Sequence, residues 1–247
     1  MGGRLVLVCP EGHSYDVNKR GYLTALDSSA GITGDTRPIL EARAAFLATE
    51  AYSPIADLID GLVPRHPGIS ILDSGCGTGY YLSRLLNGRT DAATLALDAS
   101  PAAVTLTITA TGSAGLVADV WKPLPIRSSI ADVVLCVFAP RNSAEFARIL
   151  VPGGILVVVT PQPAHLEQLR ERGAVLGIQD DKLGALDSAL SARFDLARRE
   201  SLRYEIEVDE LSAAQLAGMG PAGYHDRGAA YAGSVTVAVD ASVYTPR

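Results

Sequence analysis

The sequence predicts an α/β protein: a mostly parallel sheet with helices on both faces, closed by a late antiparallel strand. Three observations carry this. From residue 68 to about 172, short β-branched and apolar runs alternate with helical stretches. A glycine-rich turn follows the first of those runs. Near the C-terminus, two strand-like segments are separated by only a short helix.

Taken in order, residues 1–35 are short apolar pieces broken by turn residues, including Cys9-Pro10-Glu11-Gly12-His13 and the loop from Asp27 to Asp35. Residues 36–67 read as a helical linker or cap. Asp35 or Thr36 caps its first helix and Pro38 fits the first turn. Ile39, Ala42, Phe46 and Leu47 then recur at helical spacing. Pro54 opens a second helix, which Pro64 and Pro67 close.

The main domain is expected over residues 68–247. Ile69 to Leu72 is its first strand and Tyr80 to Leu86 the helix after it. Strands follow at Ala93–Leu97, Leu116–Ala118 and Ala131–Val137, with helices at Pro101–Thr109 and Glu145–Leu150. Gly153-Gly154 turns into a strand at Ile155–Val159. Phe194–Val208 and Ser234–Val239 read as the late strands, with Asp209–Leu216 as the helix between them.

Composition narrows the function. The chain has 247 residues, 48% of them apolar, ample for a core. No apolar run approaches the roughly 20 residues of a membrane span. The apolar stretch after Met1 is shorter than the ~7–15 residues of a secretory h-region. A soluble, cytoplasmic protein with no membrane partner is expected. Cys9, Cys76 and Cys136 are odd in number and widely spaced, which argues against a disulfide framework. The net charge of −6 makes a broad phosphate-binding face less expected.

The chemistry-bearing motif is Leu72-Asp73-Ser74-Gly75-Cys76-Gly77-Thr78-Gly79. Glycine at alternate positions permits positive φ and a close backbone approach by a ligand. The loop then feeds a helix N-terminus, whose free N–H groups favour a carboxylate. Asp98 ends the second strand, where an acid takes both hydroxyls of a ribose. Asp119 follows the third strand, placed to meet an adenine amino group. A dinucleotide fold would show G-x-G-x-x-G and a pyrophosphate. Here the spacing is G-x-G-x-G with Asp73 before it, an acid that would repel a pyrophosphate. The pattern implies S-adenosylmethionine, held by Asp73, Gly75, Cys76, Gly77, Gly79, Tyr80, Asp98, Ala99, Asp119 and Val120. The competing reading is a tight turn with no ligand.

Candidate acceptor residues lie after the later strands. Phe138 and Pro140 sit beyond the fourth strand, at the carboxyl edge where ligands bind in such sheets. Phe138 either stacks on a planar substrate or is a core residue before a turn. His165 follows the fifth strand, either as a general base or as a residue that holds its loop by hydrogen bonds. Tyr52, Tyr80 and Tyr81 line the site or pack. Arg43 reaches a carboxylate, of the cofactor or of Asp35, or is solvated.

From Cys9 to about Leu169 the chain resembles the bacterial ribosomal RNA guanine-N1 methyltransferases, which have a Rossmann-like class I methyltransferase fold. The resemblance runs through Cys9–Asp16, Lys19-Arg20-Gly21-Tyr22-Leu23 and Gly34-Asp35. It continues with Ala42–Leu47, Tyr52-Ser53-Pro54-Ile55 and Asp73 to the tandem Tyr80-Tyr81. Phe138-Ala139-Pro140, Pro152-Gly153-Gly154 and Thr160–Leu166 complete it, with a weaker echo at Met219-Gly220-Pro221. It implies methyl transfer by in-line displacement to a ring nitrogen of ribosomal RNA, as part of rRNA modification.

Two features depart from that family. Its zinc segment has an earlier Cys pair, which no residue before Cys9 supplies. A structural zinc needs four ligands, so residues 1–35 read as a degenerate zinc-ribbon-like segment with no metal. Residues 1–67 also hold six Lys/Arg against eight Asp/Glu, a net of −2 where RNA should be gripped. Two further functions therefore stay open: a small-molecule (natural product or sugar) methyltransferase of the same lineage, and a non-catalytic cofactor-binding protein. A homodimer also stays open.

Overall fold

The computed structural model describes residues 6–8, 12, 14–26, 34–175, 182–220 and 231–247. Cys9 and His13, which the sequence reading places in a degenerate zinc-ribbon-like segment, lie outside them, as does most of the loop from Asp27 to Asp35. Three short strands come first: β1 (Val6–Val8), β2 (Ser14–Asp16) and β3 (Tyr22–Thr24). Helices α1 (Arg37–Leu47) and α2 (Ser53–Leu62) follow. Then come β4 (Ser70–Ser74), α3 (Tyr80–Leu85), β5 (Ala93–Asp98), α4 (Pro101–Thr111), β6 (Ala114–Val117) and β7 (Ala131–Val137). Next are α5 (Ser143–Ile149), β8 (Leu150–Pro161), α6 (Glu167–Glu171) and α7 (Lys182–Leu190). The chain closes with β9 (Phe194–Val208), α8 (Glu210–Gly218) and β10 (Gly233–Pro246).

Among the described residues, eight strands form one sheet in the order β3-β6-β5-β4-β7-β8-β10-β9. Strands β3 to β8 pair in parallel, and β10 runs antiparallel to both β8 and β9. Strand β4 has β5 on one side and β7 on the other, so the order reverses there. The crevice above such a reversal is where open α/β sheets bind ligands.

Alternation along the strands sorts the core into two layers. Val133, Leu135 and Val137 of β7 pack with Phe46, Ile55, Ile59 and Leu82 on the face covered by α1, α2 and α3. Val134 and Cys136 pack on the other face with Phe146 of α5 and Leu186 and Leu190 of α7. Each fully buried Ile, Leu or Val contributes roughly 1.5–3 kcal/mol. Helix ends follow local chemistry: Ser100, Asn142 and Asp209 each accept a backbone N–H in the first turn of α4, α5 and α8. Thr36 is the N-cap of α1, but its side chain makes no cap bond.

Three elements differ from the sequence reading. Residues Tyr22–Thr24, expected within a separate N-terminal segment, pair in parallel with β6 as the sheet's edge. Gly153 and Gly154 do not turn ahead of a strand; they lie inside β8, where its pairing with β7 shifts register between Ala131 and Val133. A Cβ on Gly154 would sit 3.0 Å from the carbonyl oxygens of Asp132 and Val151, so the glycine allows a close backbone crossing. The last strand runs on to Pro246, because β9 is long enough to pair with all of it while β8 pairs with Val239–Tyr244.

Candidate active site

The glycine loop is tied down by backbone before any ligand is considered. Gly75 and Cys76 donate to the Leu97 carbonyl at 2.8 and 3.1 Å, and Gly79 to that of Cys76 at 2.9 Å. Gly75 has φ 78°, and a Cβ there would lie 2.3 Å from the Ala139 Cβ. Gly79 also has φ 78°, and its Cβ would lie 2.9 Å from the Thr107 Cα. These two glycines therefore let the loop pack on the β7 turn and on α4. The Gly77 amide points inward and donates to Asp98 Oδ2 at 3.1 Å.

Asp98 accepts a second backbone bond, from Ser100 N to Oδ1 at 2.8 Å. Burial pushes its carboxyl above the usual range, and these two amides pull the other way. Each oxygen keeps a lone pair for a further donor. Asp73, buried beneath the loop, is pushed up to about 7 by burial and then by the charge of Asp98. Asp119 Oδ1 accepts from Trp121 N at 2.9 Å, which fixes the turn after β6. Asn142 Nδ2 donates to the Val120 carbonyl at 2.8 Å and ties that turn to the one after β7. Arg43 is not solvated: it pairs with Asp35 at 2.6 Å and donates to the Met219 carbonyl at 2.7 Å.

A second cluster sits beyond β7 and β8. Phe138 is 41% exposed and holds φ 54°, rare for a bulky residue. Its ring lies parallel to that of His165, with centroids 6.0 Å apart and 23° between planes. Tyr81 meets Phe138 edge-on. His165 is buried, and its Nδ1 accepts the Ala238 N–H at 3.2 Å. A backbone amide only donates, so Nε2 carries the proton and faces the Tyr52 hydroxyl at 3.4 Å. These are the bonds of a residue that holds its loop. The carbonyls of Ala139 and Pro140 accept from the Cys136 thiol, and burial pushes that thiol up to about 12.

One cavity of about 1170 Å³ joins the two clusters. That exceeds the ~300–1,000 Å³ of an ordinary small-molecule site, leaving room for a nucleoside-sized cofactor and part of an acceptor. Of the sequence candidates, Gly75, Cys76, Gly77, Tyr80, Asp98, Ala99, Asp119 and Val120 line it, as do Phe138, Pro140 and His165. Asp73 and Gly79 do not line it; the first lies below the loop and the second faces Thr107. Sequence reasoning missed Ser74, Thr160, Arg141 and Arg170 in the lining. Their place in the lining depends on strand register and loop path, which no local pattern signals.

Among the described residues, three buried side-chain oxygens have no hydrogen-bond partner: Ser74 Oγ, Tyr80 Oη and Thr160 Oγ1. All three residues line this cavity. Native structures leave few such groups unpaired, so their concentration here points to a polar ligand. Also among the described residues, no group of three His, Cys, Asp or Glu is arranged to hold a metal. No helix there is long and apolar enough to cross a membrane.

A mostly parallel sheet with an antiparallel penultimate strand, and an acid-flanked glycine loop at its reversal, define a class I methyltransferase. The family model described as a methyltransferase domain matches residues 72–158. The 23S rRNA (guanine(748)-N(1))-methyltransferase of Streptomyces fradiae is 38% identical, over 89% of this chain and 80% of that protein. A putatively assigned counterpart in Micromonospora griseorubida is 35% identical over the same shares. Among solved structures, the YcgJ protein of Bacillus subtilis aligns with TM-score 0.56 at 13% identity, over 78% of this chain and 97% of that one. The cyclopropane synthase MmaA2 of Mycobacterium tuberculosis aligns with TM-score 0.51 at 18% identity, covering 80% and 86%. These two likenesses speak for the fold. The chain belongs to the bacterial 23S rRNA guanine-N1 methyltransferase family and is an S-adenosylmethionine-dependent methyltransferase.

Proposed function

We propose that this enzyme methylates N1 of a guanine in 23S ribosomal RNA, the reaction named for its Streptomyces relative. The observation that carries the reading is the single cavity. It runs from Asp98 at the glycine loop to the stacked Phe138–His165 pair.

Asp98 would take the ribose hydroxyls of S-adenosylmethionine on the lone pairs its two amide bonds leave free. Gly75, Cys76, Gly77, Tyr80, Ala99, Asp119 and Val120 line the same cavity; the first four would hold the amino-acid end of the cofactor and the last three its adenine. Asp73 lies buried below the loop, and Gly79 seats the loop on α4. When bound, the cofactor would supply a methyl group already activated by its sulfonium and leave as S-adenosylhomocysteine, while the guanine N1 proton goes to solvent. Phe138 offers a flat, exposed face to the acceptor base, and His165 backs it. Pro140 shapes the same wall. With Nδ1 engaged by Ala238, His165 is a positioning residue. Holding base and methyl donor at attack distance supplies much of the rate.

The test is transfer of a labelled methyl group from the cofactor into 23S rRNA lacking the modification. Label in RNA supports the reading. Label confined to small molecules of a cell extract sinks it and favours the small-substrate alternative.

A further inference from the structure

Seven arginines among the described residues are half-buried or buried. Five of them face a carboxylate: Arg43, Arg84, Arg89, Arg148 and Arg199. Arg141 and Arg170 do not. Arg141 Nη1 donates to the Ala139 carbonyl at 3.2 Å, and Arg170 donates to the carbonyls of His165 and Pro163. Both residues line the cavity. A guanidinium has five N–H donors, so each keeps donors free. A partly desolvated cation without a counter-ion is costly unless something compensates it.

Their tethers show where that compensation would come from. Arg141 is bound to the loop that carries Phe138, and Arg170 to the loop that carries His165. The two cations are therefore held on the loops that carry the stacked rings, which follow β7 and β8, whereas Asp98 ends β5 on the other side of β4. Resting on the reading that the acceptor is an RNA base, we propose that Arg141 and Arg170 form a phosphate clamp. It takes the phosphodiester backbone of the RNA strand next to the base stacked on Phe138. Guanidinium suits this task, because its planar fork matches phosphate oxygens in pairs. The clamp would give a chain of net charge −6 two cations in the lining of the cavity with which to grip RNA.

The test is binding of a synthetic RNA fragment spanning guanine 748 of 23S rRNA, measured across a salt series. It uses the wild type, Arg141→Gln, Arg170→Gln and the double variant. For single-stranded RNA, the slope of log affinity against log salt falls by about 0.7 for each phosphate that is no longer neutralised. Each single variant should show that fall, with S-adenosylhomocysteine affinity unchanged as the sign of an intact fold. Because Arg170 also holds its own loop, Arg170→Lys is the second variant; it keeps the charge and should keep the slope. An unchanged slope in the double variant, with RNA still bound, overturns the clamp. Weakened cofactor binding with the RNA slope intact also overturns it, and moves the arginines to the cofactor carboxylate. A wild type that binds no RNA overturns the reading of function itself, and the clamp with it.

Discussion

The two ends of the cavity are built in opposite ways. At the glycine loop, almost every bond is short-range or runs to the adjacent strand: Gly79 to Cys76, Gly75 to Leu97, Ser100 to Asp98. At the ring pair, the partners are distant in sequence. Tyr52 reaches His165 across 113 positions, and Ala238 reaches it across 73. The first end is a backbone device, set by where glycine is tolerated. The second is a packing device, set by how α2, β7, β8 and β10 meet. A methyltransferase can therefore keep one cofactor pocket and change its acceptor by repacking the other end.

The sharpest way to break this comparison is Asp98→Ala. Hydrogen bonds to a charged group are each worth about 1.5–3 kcal/mol, so removing two should weaken S-adenosylhomocysteine binding at least about 100-fold. Calorimetry reads it directly, and intact affinity would remove Asp98 from the pocket.

Asp73→Asn tests the same end through pH. An acid whose folded pKa is raised binds its proton more tightly when folded. Its contribution is fully present below about 4 and is lost as pH rises through about 7. The cofactor-free Asn variant should thus melt higher than wild type at pH 8, by up to about 4 kcal/mol, and equally near pH 3. Parallel melting curves at all pH values would contradict the buried, charge-coupled position of Asp73.

The acceptor end should respond separately. Phe138→Ala should leave S-adenosylhomocysteine affinity intact and cut kcat/KM on RNA. Base stacking on an aromatic is worth about 1–3 kcal/mol, a reduction of roughly 5- to 150-fold. A variant that fails to bind cofactor instead would erase the division between the two ends. The smallest effect is expected from Tyr52→Phe, which removes one long hydrogen bond at 3.4 Å. It should lower the melting temperature by the equivalent of about 1 kcal/mol without altering the pH–rate profile. A shifted profile would mean that His165 titrates in the reaction.

The same contrast explains what the sequence revealed. β7 and β9 match their expected bounds, Ala131–Val137 and Phe194–Val208, because their patterns are continuous. The glycine loop and its acids were legible for the same reason: spacing along the chain fixes them. β3 was not, since three residues carry no period and its pairing with β6 is a tertiary event. α7 was missed because Lys182–Leu190 shows little sidedness, although Leu183, Leu186 and Leu190 join the core. In the site, Phe138 and His165 were singled out separately, but nothing in their spacing brings the rings together. Thr160, Arg141 and Arg170 depend on strand register and on carbonyls that only the fold aims.

In the proposed reaction the cavity presents a guanine ring nitrogen to the cofactor. Mass spectrometry of 23S rRNA fragments methylated by the purified enzyme tests it most directly. 1-Methylguanosine at a single position, formed in step with cofactor turnover, is the expected product. Methylation of another atom or another nucleotide, or turnover with unmodified RNA, would contradict it.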